Sequence, residues 1–174
     1  MCDICNGRTY EQARRAMELH VIHHGWALQG VYPGEDDTDE GHWTYTIGLV
    51  ENFDHPELIL TDAEYTIAGE ILNRIGEMVR SGDDMSQLAN MGISLREVHP
   101  AHLDTDLFAS WIDLYGHAPE PGQVLQIVLP DANYCPCHSV LRCDLSDPSQ
   151  RPGSRRPNRA QRRAMQRAKR RRQQ

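Results

Sequence analysis

Ile67-Ala68-Gly69-Glu70-Ile71-Leu72-Asn73-Arg74-Ile75-Gly76-Glu77-Met78-Val79 spaces its apolar residues three and four apart, so Ile67, Ala68, Ile71, Leu72, Ile75, Met78 and Val79 form one helical stripe. Gly82 follows as a stop signal, and Thr61 with Glu64 has the spacing of a capping box at the start. A stripe this broad must bury against a sheet, so the rest of the chain is searched for strands.

Glu57 to Leu60, just before the helix, is short and apolar and reads as a strand. Trp26 to Tyr32, ended by Pro33-Gly34, and His42 to Leu49 read as two more. In the second of these, Trp43, Tyr45 and Ile47 alternate with Thr44 and Thr46. The acidic loop Glu35 to Glu40 joins them as a long hairpin. Its Asp36, Thr38, Glu40 and Gly41 imitate half of a calcium loop, but Ile47 stands where a bidentate Glu is needed, so calcium is excluded. Upstream, Thr9 and Gln12 form a capping box, and Ala13, Ala16, Met17, His20 and Val21 recur at helical intervals until Gly25, predicting a helix over 10–24.

Downstream, Ser94 to Val98 and Val124 to Leu129 read as strands, separated by a short helix over about Leu107 to Tyr115 that Gly116 stops. The order of elements predicts an α+β fold, a single compact domain with a mainly antiparallel sheet packed by two to three helices. That domain is expected to span residues 1–145. From Ser146 the composition turns to Ser, Pro, Gly, Arg and Gln, predicting a linker and tail over 146–174, disordered or helical on binding.

Charge is divided between the two parts. Eleven of the eighteen basic residues lie in 151–174, which has no acid, leaving seven against twenty-five acidic residues in 1–150. The body is thus about −18 and the tail about +11, beneath a net charge of −7. Such an Arg block is matched by a polyanion or an acidic surface. Arg155, Arg156, Arg159, Arg162, Arg163, Arg167, Lys169, Arg170, Arg171 and Arg172 are therefore the candidate contacts to RNA or DNA phosphates, free or in a ribonucleoprotein. The competing reading is a protein-binding inhibitor or immunity-like module, whose acidic body engages a basic partner.

The five cysteines, without a secretory signal, point to a cytoplasmic chain with thiols or metal ligands. Cys2-x-x-Cys5 has the spacing of half a zinc knuckle. Cys135 and Cys137 complete a structural, four-thiolate set, with His138 and Cys143 as alternative ligands. Free thiols are the plain alternative. No apolar run is long enough to span a membrane.

A catalytic reading rests on His24, His42 and His55, with His23 adjacent. No nucleophile is paired with them by motif, and histidines at a helix end are accounted for by the dipole. Phosphate-binding glycine loops and nucleophile elbows are absent from the sequence. The reading therefore leans away from an enzyme. Trp43 and Trp111 suit core positions.

The segments His24-Gly25-Trp26-Ala27-Leu28-Gln29-Gly30-Val31, Trp43-Thr44-Tyr45-Thr46-Ile47-Gly48-Leu49 and His55-Pro56-Glu57-Leu58-Ile59 are similar to a bacterial and phage family catalogued as domain of unknown function 4262. Cys2 and Cys5, Tyr115-Gly116 and Leu125-Gln126 resemble further elements of it. The resemblance covers roughly residues 1–130, implies a compact domain and brings no catalytic role with it. The Cys135-Pro136-Cys137-His138 segment and the tail stand outside it.

Overall fold

The computed structural model describes residue 7 and residues 9–31, 41–130 and 143–150. Its first element is α1, Tyr10–His24. The Thr9 side chain accepts from the Gln12 amide while the Gln12 side chain accepts from the Thr9 amide, so the capping box closes as the spacing predicts. Gly25, at φ 92°, ends the helix in the left-handed conformation that a residue without Cβ adopts at least cost.

The hairpin strands β1, Ala27–Val31, and β2, Trp43–Ile47, pair antiparallel with Ala27 opposite Ile47 and Val31 opposite Trp43. β2 pairs antiparallel with β3, Glu57–Thr61, with Tyr45 opposite Ile59. Between them lies a short helix, α2, Leu49–Phe53, which the sequence reading does not contain. One and a half turns give too little periodicity to register.

The long striped helix is α3, Tyr65–Ser81, capped by Gly82. Its start departs from the expected Thr61–Glu64 box. The chain turns through Asp62, at φ 58°, and Glu64 becomes the N-cap, its carboxylate accepting from the Thr66 and Ile67 amides. A small helix α4, Gln87–Asn90, leads to β4, Ser94–Glu97. Two 3₁₀ turns, Pro100–His102 and Asp106–Phe108, precede α5, Ala109–Tyr115, and β5, Val124–Val128.

The sheet order is β1-β2-β3-β5-β4. Three of its pairings are antiparallel and one, β3 with β5, is parallel. The mainly antiparallel α+β expectation therefore holds.

Both faces of the sheet are covered. Tyr45, Ile47 and Ile59 pack with Val21 of α1, Trp111 of α5, and Leu103, Leu107 and Phe108 of the 3₁₀ segment. Leu58, Leu60 and Ile127 pack on the other side with Ala68, Leu72 and Ile75 of α3. This explains why Thr44 and Thr46 are buried along with their apolar neighbours in β2. Alternation along β2 assigns residues to faces, and α3 closes the face that carries the threonines.

Candidate functional site

The residues that carry the family resemblance meet at one end of the sheet, around the carboxylate of Glu57. Glu57 is the first residue of β3 and is fully buried, with 0% exposure. Its Oε1 accepts from the Gly48 amide at 2.8 Å and the Val50 amide at 3.1 Å. Its Oε2 accepts from the Thr46 hydroxyl at 2.6 Å, and that hydroxyl accepts from the Leu58 amide at 2.8 Å. Burial pushes the Glu57 carboxyl up to about 7, against the pull of these donors. The side chain joins the end of β2, the start of α2 and the start of β3, which are the second and third segments of the resemblance.

The first segment closes on the same junction through glycine. Gly48, at φ 118°, lies so close to Gly25 that a Cβ on it would sit 2.7 Å from the Gly25 carbonyl oxygen and 2.9 Å from Val21 Cγ1. Asn52 of α2 donates to that same carbonyl at 2.8 Å. Trp26 donates from Nε1 to Asn73 Oδ1 at 3.1 Å and fits against Gly76, where a Cβ would meet the indole at 2.8 Å. Arg80 covers the indole, 4.5 Å from the ring centroid, and donates to the His24 carbonyl. Each of these polar groups is consumed in holding helix ends to the sheet.

A second polar cluster holds the segment before the tail. Gln126, 3% exposed on β5, donates from Nε2 to the Cys143 carbonyl at 2.6 Å and accepts the Leu145 amide at 2.7 Å. The carboxylate of Asp62 accepts the Cys143 amide at 3.1 Å, and the His99 amide donates to the Leu145 carbonyl at 2.8 Å. Leu145 itself is fully buried. Further along, Arg96 pairs with Asp144 at 2.7 Å, His102 Nε2 meets the Asp147 carbonyl at 3.0 Å, and the Asp144 amide donates to the Gln150 side chain at 2.9 Å. Residues 143–150 thus form a strap fixed to the body, and Gln150 is its last described residue.

Of the three candidate catalytic histidines, His24 and His42 lie at opposite ends of the β1–β2 hairpin and do not share a site. His24 precedes the register end where Ala27 faces Ile47, whereas His42 precedes Trp43 at the opposite end. The five residues of β2 separate them by roughly 17 Å. The exposed His24 ring stacks on His20 at 5.2 Å between centroids, and His55 directs Nδ1 to the Pro56 carbonyl at 2.7 Å. His42 lies near Asp62, whose carboxyl burial pushes up, and near Glu64, whose carboxyl the Thr66 amide pulls down.

Cys143 is buried, and burial together with Asp62, Asp144 and Asp147 pushes its thiol up to about 12. In the metal-free chain its thiolate is therefore disfavoured. Cys2, Cys5, Cys135, Cys137 and His138 lie outside the described residues, as do the acidic loop 35–40 and every basic residue of 151–174. Among the described residues, no group of three or more His, Cys, Asp or Glu side chains is placed to hold a metal. Among them, too, no helix is long and apolar enough to cross a membrane.

Trp43 and Trp111 are buried, as expected of core residues. Trp43 donates from Nε1 to the Leu107 carbonyl at 3.0 Å, and Trp111 Nε1 has no partner among the described residues. The Tyr45 hydroxyl, buried beside Ser110, is also short of a well-formed bond. Glu57, Gln126 and Asp62 were missed from sequence as organising residues. The one available signal was a carboxylate opening an otherwise apolar strand.

These junctions define an α+β domain whose motif residues bond one another. The family model described as Domain of unknown function (DUF4262) matches residues 20–135, and the chain belongs to that family. No curated protein and no solved structure matches it. The matched region contains the Glu57 junction and Gln126; the strap and the Arg-rich tail lie beyond it.

Proposed function

We propose that the protein is a small accessory factor that binds RNA or DNA, free or within a ribonucleoprotein, through its Arg-rich tail. The observation that carries this reading is the charge division, about +11 in residues 151–174 against about −18 in residues 1–150. Phosphates satisfy such a block through counterion release, without base-specific geometry. The tail carries no aromatic residue for base stacking, so sequence preference is slight. The acidic body is repelled by the same polyanion and stays beside it.

The strap supports this reading because the last residue before Arg151 is tied to the body through Asp144. The tail therefore starts from a fixed point. Replacing Arg162, Arg163, Arg170 and Arg171 by Gln is expected to abolish binding to generic RNA in a filter-binding assay. Unchanged affinity would refute the tail as the binding element.

A structural zinc held by Cys2, Cys5, Cys135 and Cys137 belongs to the same proposal. Such an ion would clasp the two ends of the body and so close most of the chain into one loop. A second reading, an acidic surface engaging a basic protein, is favoured by the body's charge. It gains if a basic partner is retained by the chain ending at Gln150 while nucleic acid is not.

A further inference from the structure

We propose that Glu57 is a proton-operated latch, in which uptake of one proton reverses the hydrogen bond between Glu57 and Thr46 while the Gly48 and Val50 amides stay on the other carboxylate oxygen. The inference is independent of the tail.

Its basis is geometric. The carboxylate is fully buried, yet none of its partners is a cation. The Gly48 and Val50 amides on Oε1, and the Leu49 amide that also bonds the carboxylate, are backbone N–H groups, which can only donate. The remaining partner, the Thr46 hydroxyl on Oε2, can donate or accept.

In the charged state, the Thr46 hydroxyl donates to Oε2 and takes the Leu58 amide on a lone pair. When a proton delivered by hydronium or buffer from solvent binds Oε2, the new O–H donates to the second lone pair of Thr46 Oγ1, and the Thr46 O–H gives up Oε2 as its acceptor, a cost set against the charge that is removed. The negative charge is neutralised, one hydrogen bond changes direction and no heavy atom has to move. A buried carboxylate without a counter-cation is costly, so the neutral form is accessible at ordinary pH.

The ionisable groups around Glu57 act in the same direction. Burial raises the hydroxyl pKa values of Tyr45 on β2 and Tyr115 on α5, Glu51 adds to it at Tyr115, and the Glu57 charge adds a smaller push at both. Glu51 on α2 accepts from the Tyr115 hydroxyl at 3.1 Å and is a second acid. The neighbouring His55 ring is turned to the Pro56 carbonyl, and the β5 residue in register with Glu57 is the apolar Val124. Among the described residues, no ion pair compensates Glu57.

The sign of the effect follows. The folded value, about 7, lies above the ordinary carboxylate value of 4.5. Folding therefore takes up a proton, and the stabilisation is complete below about 4.5 and lost as pH rises through about 7. The latch sits beside α2, whose Asn52 holds the Gly25 carbonyl, where α1, β2 and β3 converge.

The test is a titration of the full chain from about pH 5 to about pH 8, following the Glu57 carboxyl carbon and the Gly48 and Val50 amides by NMR. All three should titrate together with a midpoint near 7. In Glu57→Gln, the amide donates to Thr46 as the neutral acid would, so the two backbone amides should lose their titration and the melting temperature should lose its fall with pH. In Thr46→Val, the charged form loses a donor and the midpoint should move upward. Backbone amides that stay constant across the range, or a carboxyl carbon with an ordinary acidic midpoint in the unmodified chain, would overturn the latch even if both variants fail to fold.

Discussion

Gly48 and Gly25 approach so closely that a single methyl group on Gly48 would lie 2.7 Å from the Gly25 carbonyl oxygen. Gly48→Ala would also hold alanine at φ 118°, where it is strained whatever the space. The substitution is expected to cost about 3 kcal/mol or more in denaturant unfolding. Gly82→Ala is the control. Gly82 also has positive φ, but nothing lies within 4 Å of its missing Cβ, so only the backbone cost of about 1 kcal/mol should appear. Equal costs at the two sites would show that the Gly25–Gly48 contact is unimportant.

Gln126→Leu should detach the strap. It leaves the Leu145 amide without its side-chain partner and the Cys143 carbonyl with only the long bond from the Thr61 hydroxyl at 3.4 Å, at about 2–4 kcal/mol together. Hydrogen exchange at Leu145 should accelerate well before the sheet amides of β2 do. Uniform acceleration across both would mean that the strap has no separate opening.

Tyr45→Phe should go the other way. The hydroxyl is buried without a well-formed bond, while the ring packs edge-on against Phe108 at 5.3 Å between centroids. Removing the oxygen keeps that contact and is expected to leave stability within about 1 kcal/mol or raise it. A loss well above that on thermal unfolding would reveal a bond made through ordered water.

At neutral pH, Cys143 should stay unmodified by iodoacetamide in the native chain and react on denaturation, since burial and its acidic neighbours disfavour the thiolate. The zinc proposal adds that elemental analysis finds about one zinc per chain, unchanged in Cys143→Ala and lost when Cys2 and Cys5, or Cys135 and Cys137, become Ser. Metal that depends on Cys143 would require a different ligand set.

The parts of the fold that could be read in advance are those where local chemistry and tertiary packing agree. Thr9, Gln12 and Gly25 fix both ends of α1 within the chain itself. The α3 stripe is equally local, although Ile67 at its start is 45% exposed. What escaped was set by contacts distant in sequence. Asp62 adopts its left-handed turn beside the Cys143 amide, 81 residues away, and this moves the start of α3 to Glu64. The parallel pairing of β3 with β5 likewise joins strands that have α3, α4, β4 and α5 between them in the chain, which periodicity does not encode. Glu57 resembled any other strand residue because its donors come from Thr46 on the neighbouring strand, from the loop at Gly48 and from a helix too short to see. His24 and His42 are set apart because β1 and β2 run between them, with His24 before the open end of the hairpin and His42 at its other end.

The most direct test of the proposed nucleic-acid role is the salt dependence of binding to generic RNA, measured for the full chain and for the chain ending at Gln150. That truncation keeps the Gln150 side chain on Asp144 and removes only the basic block. If six to ten phosphates are contacted, the affinity of the full chain should fall by about 10³–10⁵ between about 50 and 200 mM salt. The shortened chain should show no binding at the lower salt. Full affinity in the shortened chain, or salt-independent binding by the full one, would contradict a tail that acts through phosphate contacts.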